Sequence, residues 1–311
     1  MSENQTVLRE AENKVIIEGT LLEKRLEEKE FNGQNGKRNA ITGELDIETA
    51  ENEVHTVRVF SFEKKVDGSD NGIFKGLKTV DNEYKSVAEN GREEADKVRI
   101  TQGQIGLNEY YGQDGMLRSF PQISANFINR VQAGEEFEPK AEFEIEAFIK
   151  SVSPEVKNEE ETGRVKVEAI IPAYGGKVLP FSLMAPVEAA EYIEDNYEPG
   201  STVKIYGDII NFKEKKVVLE DVAFGKPKEK VTYNTVREYL ITGGSEPYEE
   251  ENNKAYDVEL IKKALTEREI YLAELKAKKD QPKQEEKKAG FNTKSNKTTE
   301  KKEKKKIDLP F

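Results

Sequence analysis

Val98-Arg99-Ile100-Thr101-Gln102-Gly103-Gln104-Ile105 and Val203-Lys204-Ile205-Tyr206-Gly207-Asp208-Ile209-Ile210 are two wordings of one strand. Each places a basic residue second, Ile third and a Gly ahead of the closing Ile. Val and Ile alternating with polar residues fit a half-buried pleated surface. A Gly inside such a run marks a bulge or a sharp bend, the device by which a short sheet curls into a barrel. A phrase used twice predicts a fold used twice, so what flanks each copy decides the architecture.

Before the first copy, KVIIEGTLLEK (14–24), RNAITGELDIE (38–48) and EVHTVRVFSFEKK (53–65) predict three successive strands, with the turn-rich FNGQNGK (31–37) between the first two. Phe74, Leu77, Val80, Tyr84 and Val87 then recur three or four apart, which predicts one amphipathic helix over Ile73–Asn90. The phrase itself opens a fourth strand, and RSFPQISANFINRV (118–131) supplies a fifth beyond the loop NEYYGQDG (108–115). Around the second copy the order repeats. AEFEIEAFIKSV (141–152), GRVKVEAIIPA (163–173) and KVLPFSLM (177–184) read as strands, PVEAAEYIEDNY (186–197) as a helix, STVKIYGDIINF (201–212) as the fourth strand and KKVVLEDVAF (215–224) as the fifth. Val258, Ile261, Leu265, Ile270, Leu272 and Leu275 predict a last helix over Asp257–Lys278, packed on the body.

Three strands, a helix and two strands is the order of the OB-fold, a small Greek-key barrel that hosts oligonucleotide and oligosaccharide sites, and the chain resembles two of them in tandem. The expectation is a mainly β protein. It comprises an amino-terminal arm (1–13), two OB-like barrels (14–132 and 140–228), a C-terminal helical segment (229–278), a disordered Lys-rich linker (279–306) and a short tip (307–311).

Composition removes much chemistry. The 311 residues contain no Cys, so there is no disulfide framework, thiolate nucleophile or cysteine metal site. One histidine, His55, excludes multi-histidine metal centres and paired-imidazole catalysis, and it reads as a surface residue of the third strand. Gly175-Gly176 and Gly243-Gly244 lack the Lys-Ser, or the strand-to-helix setting, of a phosphate loop. No carboxylate spacing reads as a metal site, so a non-enzymatic protein without metal or cofactor is expected. The mean hydropathy is −0.78, no run approaches the roughly 18 apolar residues of a membrane span, and MSENQTVLREAENK lacks the apolar centre of a secretory signal. A soluble chain in a reducing compartment, without a membrane partner, is expected.

The net charge of −12 averages two unlike regions. From Lys276 onward thirteen Lys face six acids, a surplus of seven, which leaves −19 on the remainder. Residues from Lys279 to Lys306 are too polar to bury surface against the entropy of ordering. They end in Ile307-Asp308-Leu309-Pro310-Phe311, which resembles the carboxy-terminal tip of bacterial and phage single-stranded DNA-binding proteins. In that family the tip docks on replication and repair enzymes, its Phe ring filling an apolar pocket and its carboxylate meeting a basic residue. The resemblance assigns that role to Asp308, Leu309, Pro310 and Phe311. Upstream the chain departs from the pattern, since KKEKKK stands where the family carries acids.

Sequence-tolerant binding of a single strand needs cations for phosphates and aromatic faces for bases. Val98–Arg130 carries a local charge of +1 and Ser201–Lys228 of +2, so the fourth and fifth strands run basic inside an acidic body. Candidate contacts in the first unit are Phe31, Lys37 and Arg38 around the first loop, Arg58, Arg99, and Tyr110, Tyr111, Arg118 and Phe120 around the second. In the second unit they are Tyr174, Lys177, Lys204, Tyr206, Lys213, Lys215 and Lys216. Phe60 and Phe62 share a face with Arg58 and read as barrel core, with stacking as the rival reading. Tyr206 alternates with Ile205 toward solvent. The expected function is coating single-stranded DNA in replication, recombination or repair, as a monomer or dimer in the cytoplasm of a bacterial or phage-infected cell. The alternatives are an RNA-binding OB protein and a protein–protein adaptor with a nonspecific basic tail.

Overall fold

The computed structural model describes residues 7–33, 36–220, 224, 228–249 and 251–280. The expected tip, and the expected linker from 281 onward, lie outside the described residues. The first unit comprises β1 (Asn13–Gly33), β2 (Gly36–Ala50), β3 (Glu53–Phe62), α1 (Gly72–Glu83), α2 (Val87–Asn90), β4 (Lys97–Tyr111), β5 (Leu117–Ser124) and β6 (Asn129–Arg130). The second comprises β7 (Lys140–Lys157), β8 (Glu160–Ala173), β9 (Lys177–Ala185), α3 (Val187–Asn196), β10 (Thr202–Glu220) and β11 (Lys228–Gly244), with α4 (Val258–Asp280) after it. The chain is mainly β, as expected. No helix among the described residues is long and apolar enough to cross a membrane.

Both sheets close. In the first unit β1 pairs with β2, β2 with β3, β3 with β5 in parallel, β5 with β4, and β4 returns to β1. In the second, β7, β8, β9, β11 and β10 close the same ring, again with one parallel contact, between β9 and β11. A 1-2-3-5-4 ring with a helix between the third and fourth strands is the OB topology. The two glycines of the repeated phrase sit at the bends. Gly103 borders the register shift between β1 and β4, and Gly207 sits at the shift between β10 and β11. Any Cβ at Gly207 would collide with the Leu240 carbonyl, so only glycine lets the strands approach so closely.

Four expectations need correction. KKVVLEDVAF is not the fifth strand: Lys215–Glu220 prolongs β10, and β11 lies at 228–244, inside the segment read as helical. The helix over 73–90 is two, because Tyr84 leaves helical geometry and donates its hydroxyl proton to the Ile128 carbonyl at 3.0 Å, while Ser86 caps α2. Lys279, placed in the linker, is still within α4. His55 is buried, 1% exposed, with Nε2 3.1 Å from Thr49 Oγ1, and burial pushes its imidazole down to about 4.

Ile17, Leu21, Ile41, Leu45, Val57, Val59 and Ile100 fill the first barrel; Phe143, Ile145, Val167, Ile171, Phe181 and Ile205 fill the second. The barrels are joined edge to edge, β1 pairing antiparallel with β7 from Asn13↔Ile145 to Glu18↔Lys140. Beside this joint Glu146 is fully buried. It accepts from Arg9 Nη1 at 2.6 Å, the Glu12 N–H at 3.1 Å and the Tyr248 hydroxyl at 3.2 Å. Burial alone would raise this carboxyl, but those donors outweigh it and hold it ionised below its ordinary value.

Candidate nucleic-acid interface

Along β3 the burial alternates with period two, and its phase is opposite to the sequence reading. Val57 and Val59 face the core with His55 and Ser61, so Thr56, Arg58, Phe60 and Phe62 face out. Phe60 is 38% exposed and Phe31 37%. Phe31 is not in a loop: β1 runs on to Gly33, and Phe31 pairs with Arg38 on β2. The rings of Phe31, Phe60 and Phe62 meet edge to face with centroids 4.9 to 6.3 Å apart. The Arg38 guanidinium lies 3.8 Å over Phe62 while Nη2 donates to the Lys64 carbonyl at 2.9 Å. Phenylalanines on the outside of a barrel, two of them more than a third exposed, offer ring faces of the kind on which bases can stack.

The cations differ in what they are free to do. Arg58 has no ion-pair partner among the described residues; Glu44, opposite it on β2, pairs with Arg25 at 3.3 Å. Asp46, also on this side, is pushed up by burial, but hydrogen bonds from Arg25 and Thr56 prevail and keep it below its usual range. Lys37 pairs with Glu30 at 2.5 Å. Arg99 is bound bidentately by Glu18 at 2.8 and 2.9 Å and donates to the Glu136 carbonyl, so its charge is spent within the protein.

Tyr110, Tyr111, Arg118 and Phe120 are not loop residues either. β4 and β5 form a hairpin arm closed at 112–116, with Tyr110 opposite Arg118 and Asn108 opposite Phe120. The rings of Tyr110 and Phe120 stand 6.5 Å apart, both about half exposed, with Arg118 held by Asp114 at 2.8 Å. Tyr111 belongs to the other side of the arm.

In the second barrel the expected residues scatter. Lys204 is clamped by Glu12 at 2.8 Å and Glu144 at 2.6 Å. Tyr206 borders a cavity of about 310 Å³ shared with Glu142, Glu144 and Asp208, where burial, and then Glu142, raise the Asp208 carboxyl. That is a poor place for phosphate. Tyr174 and Lys177 lie at the β8–β9 turn. Lys213 and Lys215 do come together, on one side of the arm made by β10 and β11, with Lys216 on the other.

This arm holds the residue that the sequence reading missed. Tyr233, 57% exposed, sits directly across from Lys215, with the Lys213 ammonium 4.8 Å over its ring. Val217 and Val231, paired with one another, continue the exposed surface. The root of the arm is fastened to the first barrel: the Lys213 N–H donates to the Asn52 carbonyl at 2.8 Å and Phe212 pairs with Glu53 at the start of β3. Lys213 and Tyr233 therefore lie near one end of the strand whose other end carries Phe60 and Phe62, about 23 and 30 Å along it at 3.3 Å per residue. The alternation in Val231-Thr232-Tyr233-Asn234-Thr235 was the available signal.

The sequence model of the family described as YorF matches residues 11–278. No curated protein matches the chain by sequence. Among solved structures, it is similar to a deletion mutant of the single-stranded DNA binding protein from Thermus aquaticus, at 12% identity and a TM-score of 0.43, over 79% of this chain and 98% of that one.

Proposed function

We propose that this chain, which belongs to the YorF family, is a non-enzymatic protein that binds single-stranded DNA. The observation that carries this reading is the outward phase of β3, which sets Phe60, Phe62 and Arg58, beside Phe31 and Arg38, on an uncovered barrel face. Bases stack on the phenylalanines, Arg58 meets phosphate, and the strand continues past Asn52 onto Lys213, Lys215 and Tyr233 of the second barrel's arm. The Tyr110–Phe120 side of the β4–β5 arm supplies a flanking stack. Coating of strands during replication, recombination or repair follows from such sequence-tolerant contacts. Recruitment of enzymes through Asp308–Phe311 is proposed on the sequence of the tip, in the cytoplasm of a bacterial or phage-infected cell.

The test is titration of labelled oligo-dT and of a matched duplex at two salt concentrations. Preference for oligo-dT, with affinity falling as salt rises, is the expected result. Equal affinity for both, or none for either, rejects the reading.

A further inference from the structure

α4 presents Ile261, Ala264, Arg268, Leu272 and Lys279 along one face at helical spacing. Ile261, Ala264 and Leu272 are buried, and the helix packs on both β9 of the second barrel and β4 of the first. On the first barrel it grips the far side of the β4–β5 arm. The Arg268 guanidinium pairs with the Glu109 carboxylate, the two side chains 19% and 14% exposed. Glu109 also accepts from Ser119 Oγ on β5 at 2.9 Å, so the same carboxylate ties both strands of the arm. Lys276 stands 5.9 Å from the Tyr111 ring, and Lys279 donates to the Gly112 carbonyl at the arm's turn.

These contacts fall on Glu109 and Tyr111, which alternate with Tyr110 along β4. A support under one side of a two-stranded arm fixes what its other side presents, and such an arm is marginally stable alone. A 23-residue helix spanning about 34 Å is stiff enough to brace it against the second barrel.

We propose that Arg268 is a positioning residue for strand binding. Acting through Glu109, it holds the β4–β5 arm so that Tyr110 and Phe120 meet the strand at a fixed distance from Phe60 and Phe62. Arg268 itself touches no strand. The inference rests on the single-strand reading above.

The experiment uses the full chain with 4-fluorophenylalanine placed at position 120, and compares Arg268→Ala, Glu109→Gln and the exchanged pair Arg268→Glu with Glu109→Arg. Each single variant weakens oligo-dT binding about fivefold and shifts or broadens the fluorine resonance; the exchanged pair restores both. The slope of log affinity on log salt stays that of the unaltered chain, because no phosphate contact is lost. An unchanged affinity, a slope reduced by about one, or failure of the exchange to restore binding overturns the inference. If the unaltered chain fails to bind oligo-dT, the functional reading falls by itself. The resonance still decides whether α4 sets the arm, and an unmoved line in Arg268→Ala overturns that too.

Discussion

β3 and β9 hold the same place in two barrels of one strand order, yet β3 turns Arg58, Phe60 and Phe62 to an open side while β9 lies against α4. On the outward side of β9, Pro180 and Met184 are half-buried and Ser182 is exposed, and its free end offers only Lys177 and Tyr174. Topology repeated faithfully has therefore been used unequally. One barrel leaves that face open, where our proposal puts the ligand; the other sets a helix beside β9 and contributes an arm instead.

That inequality can be broken by experiment. Phe60→Ala with Phe62→Ala is expected to weaken oligo-dT binding by about 100-fold, since each stacked base is worth roughly 1–3 kcal/mol. Tyr206→Ala in the second barrel should leave it within about twofold; comparable losses at both sites would erase the distinction.

Next comes stability. The lone histidine is buried in the first barrel, and its lowered pKa makes the neutral form native. The unfolded chain takes a proton first, so this contribution is full above pH 6.5 and drains as pH falls toward 4. About 3 kcal/mol rides on it. Guanidinium midpoints of the natural chain and His55→Gln between pH 7 and 4.5 should show the steeper decline in the natural chain; parallel curves would contradict it.

A smaller effect is expected at the borrowed arm. Tyr233→Ala should cost about fivefold in oligo-dT affinity and Tyr233→Phe almost nothing, because a ring face is what a base needs. Equal losses in both would make the hydroxyl the operative group. Least of all, Arg58→Ala should lower the salt slope by about one, and Lys204→Ala, whose charge Glu12 and Glu144 already absorb, should leave it unchanged.

Strand order was legible in the sequence because inward and outward residues differ clearly where one side is buried. The phase of β3 was not, since it carries apolar residues on both sides: Val57 and Val59 on one, Phe60 and Phe62 on the other. A one-residue change of phase exchanges the sides, and Thr56 and Arg58, which share the phenylalanine side, were the evidence that this side faces water. β11 was illegible for a related reason. Its outer half belongs to an arm exposed on both sides, so no burial separates the two faces of Val231 to Val236 and only a short alternation marks the strand. The candidate residues were chosen by type more readily than by place. Lys204 and Arg99 are the right kind of residue, but their partners Glu12, Glu144 and Glu18 come from distant stretches that spacing does not connect.

β1 offers both edges at once, residues 15–18 pairing with β4 on one and β7 on the other. Backbone hydrogen bonds, reinforced by the Arg9–Glu146 contact, hold the halves together across a seam that the covalent connection at 133–139 does not have to maintain. Nicked at Gly134, the molecule's two pieces would stay mated and go on presenting one surface, whereas either piece made alone would carry a raw strand edge and seek another copy to cover it.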